Sequence, residues 1–390
     1  MAKKVVIVGG GVVGSATAYF LALSDPSIEI TVIERDPSYA HASSALSAAG
    51  IRQQFSTPLG VRMSAYGVEF LRSIGSRLAV SGEQPVVHFH EAGYLFLADA
   101  VHAQILRENQ RMQVALGADI ALLERNALKE TFPWLRVDDL DAGAYGRTGE
   151  GWLDGFGLLQ AFRKKAQALG ARYVAAEVTD LKRGARRVEQ VVTGDGQTYG
   201  CDVLVNAAGP WARNIASMLE IDLPVFARRR SVFHVSSPAK LERCPLLIDP
   251  TGVWFRPEGS GFICGIAPAP EDDHDDLPLH EVDHRLFDEI VWPTLASRVP
   301  QFEAMRVQGS WSGYYEHNVF DHNAIIGTHP DVENCIFANG FSGHGLQHSP
   351  ATGRGVSELI VHGKYMSLDL SALGWDRLLQ NRPIVEVNVV

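Results

Sequence analysis

Gly9, Gly11 and Gly14 stand in Gly-x-Gly-x-x-Gly spacing, between the apolar run Val5-Val6-Ile7-Val8 and a helical stretch from Ser15 to Leu21. Residues of this type and order hold phosphate. The first glycine permits a tight turn, the second lets backbone approach a pyrophosphate, and the third lets helix and strand pack closely. Unpaired N–H groups at the helix start, around Val12 and Val13, then face the phosphates. A second apolar run, Ile30-Thr31-Val32-Ile33, ends in Glu34-Arg35, with Glu34 20 residues beyond Gly14. An acid there holds ribose hydroxyls and repels a 2′-phosphate, which points to FAD or NAD rather than NADP.

The elements that must carry this turn are a strand covered on both faces and the helix after it. Residues 41–52 are small and polar, suited to backbone lying against a flat ligand. The patterns predict a helix from about Leu59 to Ser73, then strands at Val86–His90 and Gly93–Leu97. Helical spacing resumes around 100–116 and is broken by Thr131-Phe132-Pro133-Trp134. A helix over 156–169 and a strand at Ala171–Val174 follow. A hairpin through Gly194-Asp195-Gly196 leads to the strand Val203–Val205, and Asn206-Ala207-Ala208-Gly209-Pro210-Trp211 opens a helix. From about 224 to 309 strands are expected, interrupted by the acidic loop Glu271–Asp276. Near the end, the strand Cys335–Asn339 meets Gly340-Phe341-Ser342-Gly343-His344-Gly345-Leu346 and a helix from about Gln347 to Leu359. This second strand–glycine turn–helix junction lets one long cofactor be gripped at both ends.

With 390 residues the chain exceeds one typical core, and 46% hydrophobic with 21% charged residues is ordinary for a globular protein. A formal charge of −10 argues against a nucleic-acid partner. The basic cluster Arg228-Arg229-Arg230 reads as a solvated strand start, and the 271–276 acids as a solvated loop rather than a cation site. Cys201, Cys244, Cys264 and Cys335 are scattered, which fits neither zinc nor a disulfide framework. No metal is expected. The first strand begins at Val5, leaving no room for a signal peptide, and no apolar run spans a bilayer. The expected location is cytoplasmic.

Together these segments resemble the D-amino acid oxidase-type superfamily of FAD-dependent oxidoreductases. The resemblance is closest to its sarcosine oxidase, glycine oxidase, dimethylglycine dehydrogenase and D-amino acid dehydrogenase branch. A mitochondrial FAD-dependent oxidoreductase domain protein tied to respiratory complex I assembly is similar too. The carriers are Val5–Gly14 with Glu34, Ser43–Arg52, Asn206–Trp211, Trp311–Tyr314, Asp321–Gly327 and Gly340–Leu346. The resemblance implies an α/β fold whose Rossmann-like FAD-binding domain is discontinuous over 1–83, 145–222 and 310–366. An inserted substrate domain, an antiparallel β-sheet plus helix, would occupy 84–144 and 223–309, with a C-terminal tail over 367–390.

It further implies that Gly9, Gly11 and Gly14 hold the pyrophosphate and Glu34 the ribose, with Arg35 beside it. Ser43, Ser44, Ala49, Gly50 and Ile51 would line the flavin side, and Val178 would meet adenine. Ala207, Ala208, Gly209 and Trp211 would cover the nucleotide. Gly313, Gly340, Ser342, Gly343, His344, Gly345 and Leu346 would complete the flavin site, the last four turning backbone N–H groups toward the N1/C2 carbonyl. A helix N-terminus stabilises the negative charge of reduced flavin there by about 0.3–1 kcal/mol, or ~2 when buried.

Departures from the family carry as much information. No cysteine stands in Trp311-Ser312-Gly313-Tyr314-Tyr315, and Ser47 stands where dimethylglycine dehydrogenase links flavin through histidine, so FAD is expected to be non-covalent. Ile263 occupies the place of the oxygen-activating lysine of sarcosine oxidase. A dehydrogenase passing electrons to a quinone or carrier protein is therefore expected over an oxidase using O2. Gln347 replaces a carboxylate-binding lysine, and no arginine follows Gly313. Arg52 is then the leading clamp for a substrate carboxylate and Arg256 the second, with Tyr314, Tyr315 and Trp254 as an apolar wall. His344 is read as a backbone contact before a substrate base.

The expected activity is oxidation of the C–N bond of an amine or amino acid, with hydride passing to flavin N5 and an imine as product. Two alternatives stand beside it. One is an assembly or scaffold flavoprotein with structural FAD, and the other is a 2-hydroxy-acid dehydrogenase. Partner subunits occur in this branch.

Overall fold

The computed structural model describes residues 2–387, so Met1 of the first expected segment and 388–390 of the expected tail lie outside it. Its centre is a six-stranded sheet ordered Ile325–His329, Val332–Asn339, Val203–Asn206, Lys4–Val8, Glu29–Glu34 and Arg172–Ala175. All neighbours are parallel except the first pair. Lys4–Val8 is buried from Val5 onward, as its unbroken β-branched run requires. Chain order reverses across Lys4–Val8 and Val203–Asn206, which places a crevice at their carboxyl ends.

Helix Val12–Ser24 is buried through Ala22 and packs between Gly155–Ala168 and the long helix Gly345–His362. Small residues allow this approach. A Cβ on Gly353 would stand 2.6 Å from the Ala16 carbonyl carbon.

The second large sheet has eight strands, ordered Arg306–Asn318, Val225–Ser236, Gly261–Gly265, Trp254–Glu258, Leu246–Ile248, Tyr94–Ala98, Ala142–Gly146 and Ile120–Glu124. Its pairs are antiparallel except Leu246–Ile248 with Tyr94–Phe96, which run parallel and join its two halves.

Three expectations need correction. The Val86–His90 run makes only an isolated bridge, His90 to Trp152, and His88 has φ +46, which breaks an extended run. Residues 286–304 are helical turns, because Phe287, Val291, Leu295 and Val299 at four-residue spacing pack on Phe233, Phe255 and Phe262 of the sheet. The basic cluster and the acidic loop are not separately solvated. Arg228 pairs with Asp273 and Asp275, Arg230 grips Asp273 with two bonds of 2.6 and 2.9 Å, and Arg229 reaches Glu281.

Candidate cofactor and substrate site

The strand ends carrying Gly9 and Ala207 open into a cleft of about 1050 Å³ lined from both sheets. Gly9 has φ +96, and a Cβ on it would meet Ala208 Cα at 2.8 Å, so this turn admits only glycine. Gly11, Val12 and Val13 form the wall. The amides of Gly11 and Val13 take no partner from the described residues, which suits a phosphate. Gly14 is not on the wall. A Cβ there would collide with the Gly9 carbonyl oxygen, so Gly14 acts by letting helix meet strand.

At the end of the cleft beside Gly10, Glu34 accepts the amides of Gly10 and Asp36 at 2.8 Å each. Burial lifts its carboxyl above the usual range, and those two bonds act the other way. Arg35 stacks on Trp211 at 3.7 Å from the ring centroid, closing this end of the cleft. Val178, Ala207, Ala208 and Gly209 complete it. Two buried hydroxyls of the cleft, Tyr39 Oη and Ser43 Oγ, have no hydrogen-bond partner among the described residues. Orphaned polar atoms of this kind fit a polar ligand.

At the other end, Ser43, Ser44, Ala49, Gly50, Gly313, Gly343, Gly345 and Leu346 all reach the wall. Ala49 is held at φ +54, and Trp311 Nε1 donates to the Leu46 carbonyl at 3.0 Å, pinning this segment against the strand Arg306–Asn318. Gly343 has φ +99, and a Cβ would sit 2.6 Å from the Tyr315 ring. The amides of Gly345, Leu346 and Gln347 begin the long helix with no partner among the described residues, and all three residues face the cleft. These features fit an extended dinucleotide with phosphates at one helix end and an electron-rich ring at the other.

Arg52 lies beside that second end and is only 4% exposed. Its Nη2 meets His344 Nε2 at 2.8 Å, its backbone N–H donates to Gln347 Oε1 at 2.8 Å, and its guanidinium lies over Phe55 and Phe96. No carboxylate lies within ion-pair distance of it among the described residues. Beneath it Glu150 accepts the Gln53 amide and Gln54 Nε2. Burial pushes the Glu150 carboxyl up to about 7.

Tyr315 and Tyr314 both reach the wall; Arg230 lies over the Tyr315 ring, and Tyr314 Oη donates to the Leu277 carbonyl at 2.7 Å. Trp254 joins them.

Four other expected residues stay off the wall. Ile51 is buried in a short pairing with Gly151. Gly340 and Ser342 turn their amides to Glu316. Arg256 is consumed elsewhere: it donates to the Ala48 and Pro257 carbonyls, pairs with Glu258 and stacks on Trp152, which leaves no free fork for a substrate. Ile263 is buried and also off the wall. The sequence reading missed Tyr94, Leu246, Ile248 and Glu316 as wall residues, and placed Arg230 on the surface. Only the alternation within their strands hinted at a face, and nothing local showed which face met the cleft.

Fold and cleft together define a dinucleotide-binding α/β protein roofed by a strand-rich second sheet. The chain belongs to the DAO family, FAD dependent oxidoreductase, which matches residues 4–359, and its cofactor is FAD. It is 42% identical to FAD-dependent oxidoreductase domain-containing protein 1 of Xenopus laevis across a 426-residue alignment, spanning 99% of this chain and 84% of that one. Mitochondrial dimethylglycine dehydrogenase of Mus musculus is 27% identical, spanning 93% of this chain and 42% of that one. L-proline dehydrogenase from P. horikoshii superposes with a TM-score of 0.85 at 26% identity, spanning 98% of this chain and 99% of that one. Among the described residues no helix is long and apolar enough to cross a membrane.

Proposed function

We propose that this oxidoreductase dehydrogenates a small amine or amino acid at its C–N bond, using non-covalent FAD and Arg52 as the carboxylate anchor. The observation that carries the reading is Arg52 itself: a buried guanidinium on the cleft wall with no carboxylate partner among the described residues. A buried cation without a counter-ion is costly, and a substrate carboxylate would supply one with bidentate geometry. The relatives named for dimethylglycine and L-proline act on molecules carrying both groups.

FAD, when bound, supplies the two-electron acceptor. The chain supplies position. Gln347 and His344 fix the backbone and side chain of Arg52, while Tyr94, Trp254, Leu246 and Ile248 line the cleft and exclude water from the reacting carbon. No acid–base pair on the wall is required, because an amine that binds neutral has its proton removed before the carbon is oxidised.

Because Ile263 lies off the cleft wall, the choice of a quinone or carrier protein over O2 as electron acceptor rests on the resemblance alone. The same reading assigns 1–83, 145–222 and 310–366 to the cofactor domain, and 84–144 and 223–309 to the substrate domain.

The test is anaerobic stopped-flow mixing with sarcosine, dimethylglycine, glycine, L-proline and D-amino acids. Bleaching of the oxidised flavin band by at least one is expected, and an unchanged spectrum across the panel overturns the reading.

A further inference from the structure

Glu316 sits on the cleft wall at the start of the long helix, and neither the glycine motifs nor the substrate anchor uses it. Its two carboxyl oxygens have different surroundings. Oε2 accepts the Gly340 amide at 3.0 Å. Oε1 makes no hydrogen bond among the described residues and lies 3.3 Å from where a Gly345 Cβ would stand. We propose that Glu316 carries its proton on Oε1 and donates it as a hydrogen bond to the N1–C2 edge of the bound flavin. The assignment rests on the reading that the flavin end of FAD lies against Gly343–Leu346.

A carboxyl whose one oxygen already accepts an N–H has the other free to be the hydroxyl, a donor in need of an acceptor. The surroundings favour the neutral acid. Across the strand ladder Glu316 faces Ala227, the Gly340 amide donates to it, and Gly345 lies against it without charge. His344 at the helix start is a neutral imidazole. Arg229, two ladder positions away, is held by Glu281 and the Pro278 carbonyl, and Arg228 and Arg230 are occupied by Asp273 and Asp275. His317, the next residue along, is itself held down to about 4. Burial pushes the Glu316 carboxyl up to about 8.

Loss of that proton would place a carboxylate beside the position where reduced flavin carries its negative charge, and like charges oppose each other. The flavin midpoint potential should therefore fall more steeply with pH once Glu316 ionises. Glu316→Gln keeps the shape and a donor but cannot ionise.

Potentials of the FAD-loaded wild type and of Glu316→Gln, measured from pH 6 to 9.5, are expected to run parallel at low pH. They should diverge near pH 8, the wild type becoming the lower. Superimposed lines across the whole range overturn the assignment. Gly345→Val separates this failure from failure of the placement, since it crowds the same end without adding charge. If its flavin absorbance band is unshifted, the ring does not lie there. A shifted band with superimposed lines sinks the Glu316 assignment alone.

Discussion

Arg52 Nη2 and His344 Nε2 stand 2.8 Å apart. Because arginine offers only donors, His344 must accept at Nε2 and is neutral, with its proton on Nδ1. Burial first, and the Arg52 charge second, hold His344 well below the usual imidazole range. His344 therefore orients the Arg52 guanidinium, and a role as substrate base would cost it this bond.

Arg52→Ala should cost about 2–5 kcal/mol of substrate binding, the range for truncating a buried hydrogen-bonded charge pair. The loss should fall mainly on KM, with flavin content unchanged, because the anchor holds ground and transition states alike. Steady-state kinetics with an artificial electron acceptor decide this. A collapse of kcat with KM intact would place Arg52 at the chemistry instead.

Gly11 and Gly14 should separate cofactor binding from folding. A Cβ on Gly11 meets nothing closer than Ser44 Oγ at 3.8 Å, whereas one on Gly14 strikes the Gly9 carbonyl. Gly11→Ala should fold with a normal melting temperature as apoprotein and bind FAD roughly 10- to 100-fold more weakly, about 1.4–2.8 kcal/mol. Gly14→Ala should lower apoprotein stability outright. Calorimetry with and without FAD checks both.

Glu150 gives a pH signature with a definite sign. Its folded-state carboxyl lies near 7, above the unfolded value of about 4.5, so folding binds a proton between them. The stability it confers is complete below about pH 4.5 and is lost as pH rises through 7. Glu150→Gln should therefore gain on the wild type between pH 5 and 7 and hold level above that. Denaturant midpoints across that range would test it, and a constant difference would count against the assignment.

The ion pair of Arg230 with Asp273 ties the 271–278 segment across Tyr314 and Tyr315. Asp273→Asn removes the counter-charge while keeping the shape. Limited proteolysis should then cut this segment several times faster, and added salt should produce the same trend in the wild type. Equal cleavage rates would mean the backbone contacts alone hold it.

The parts of this architecture legible beforehand are those written in short stretches of chain. Gly9–Gly14 with Glu34, and Gly340–Leu346, announce strand–turn–helix junctions because the turn chemistry is local. The helices Pro58–Arg72 and Gly155–Ala168 lie within about a residue of their apolar periodicity. What escaped is long-range. The salt links between Arg228–Arg230 and residues 273–281 join stretches about 45 residues apart, and each alone has the composition of a solvated segment. Arg256 looked free because nothing nearby in sequence reveals the Ala48 carbonyl that occupies it. Glu316 carries no motif. Its meaning comes from Gly340 and Gly345, which a different strand and helix deliver.

The parallel pairing of Leu246–Ile248 with Tyr94–Phe96 has a consequence for biogenesis. A nascent chain released as far as residue 240 holds Tyr94–Ala98 with one flank bare, and Lys4–Val8 acquires its second neighbour only when Val203–Asn206 emerges. Such distant pairings slow folding and leave sticky strand edges waiting at the ribosome. This polypeptide should therefore lean on chaperones during synthesis, and cutting its reading frame between 206 and 246 should yield two halves that aggregate apart and recover only when expressed together.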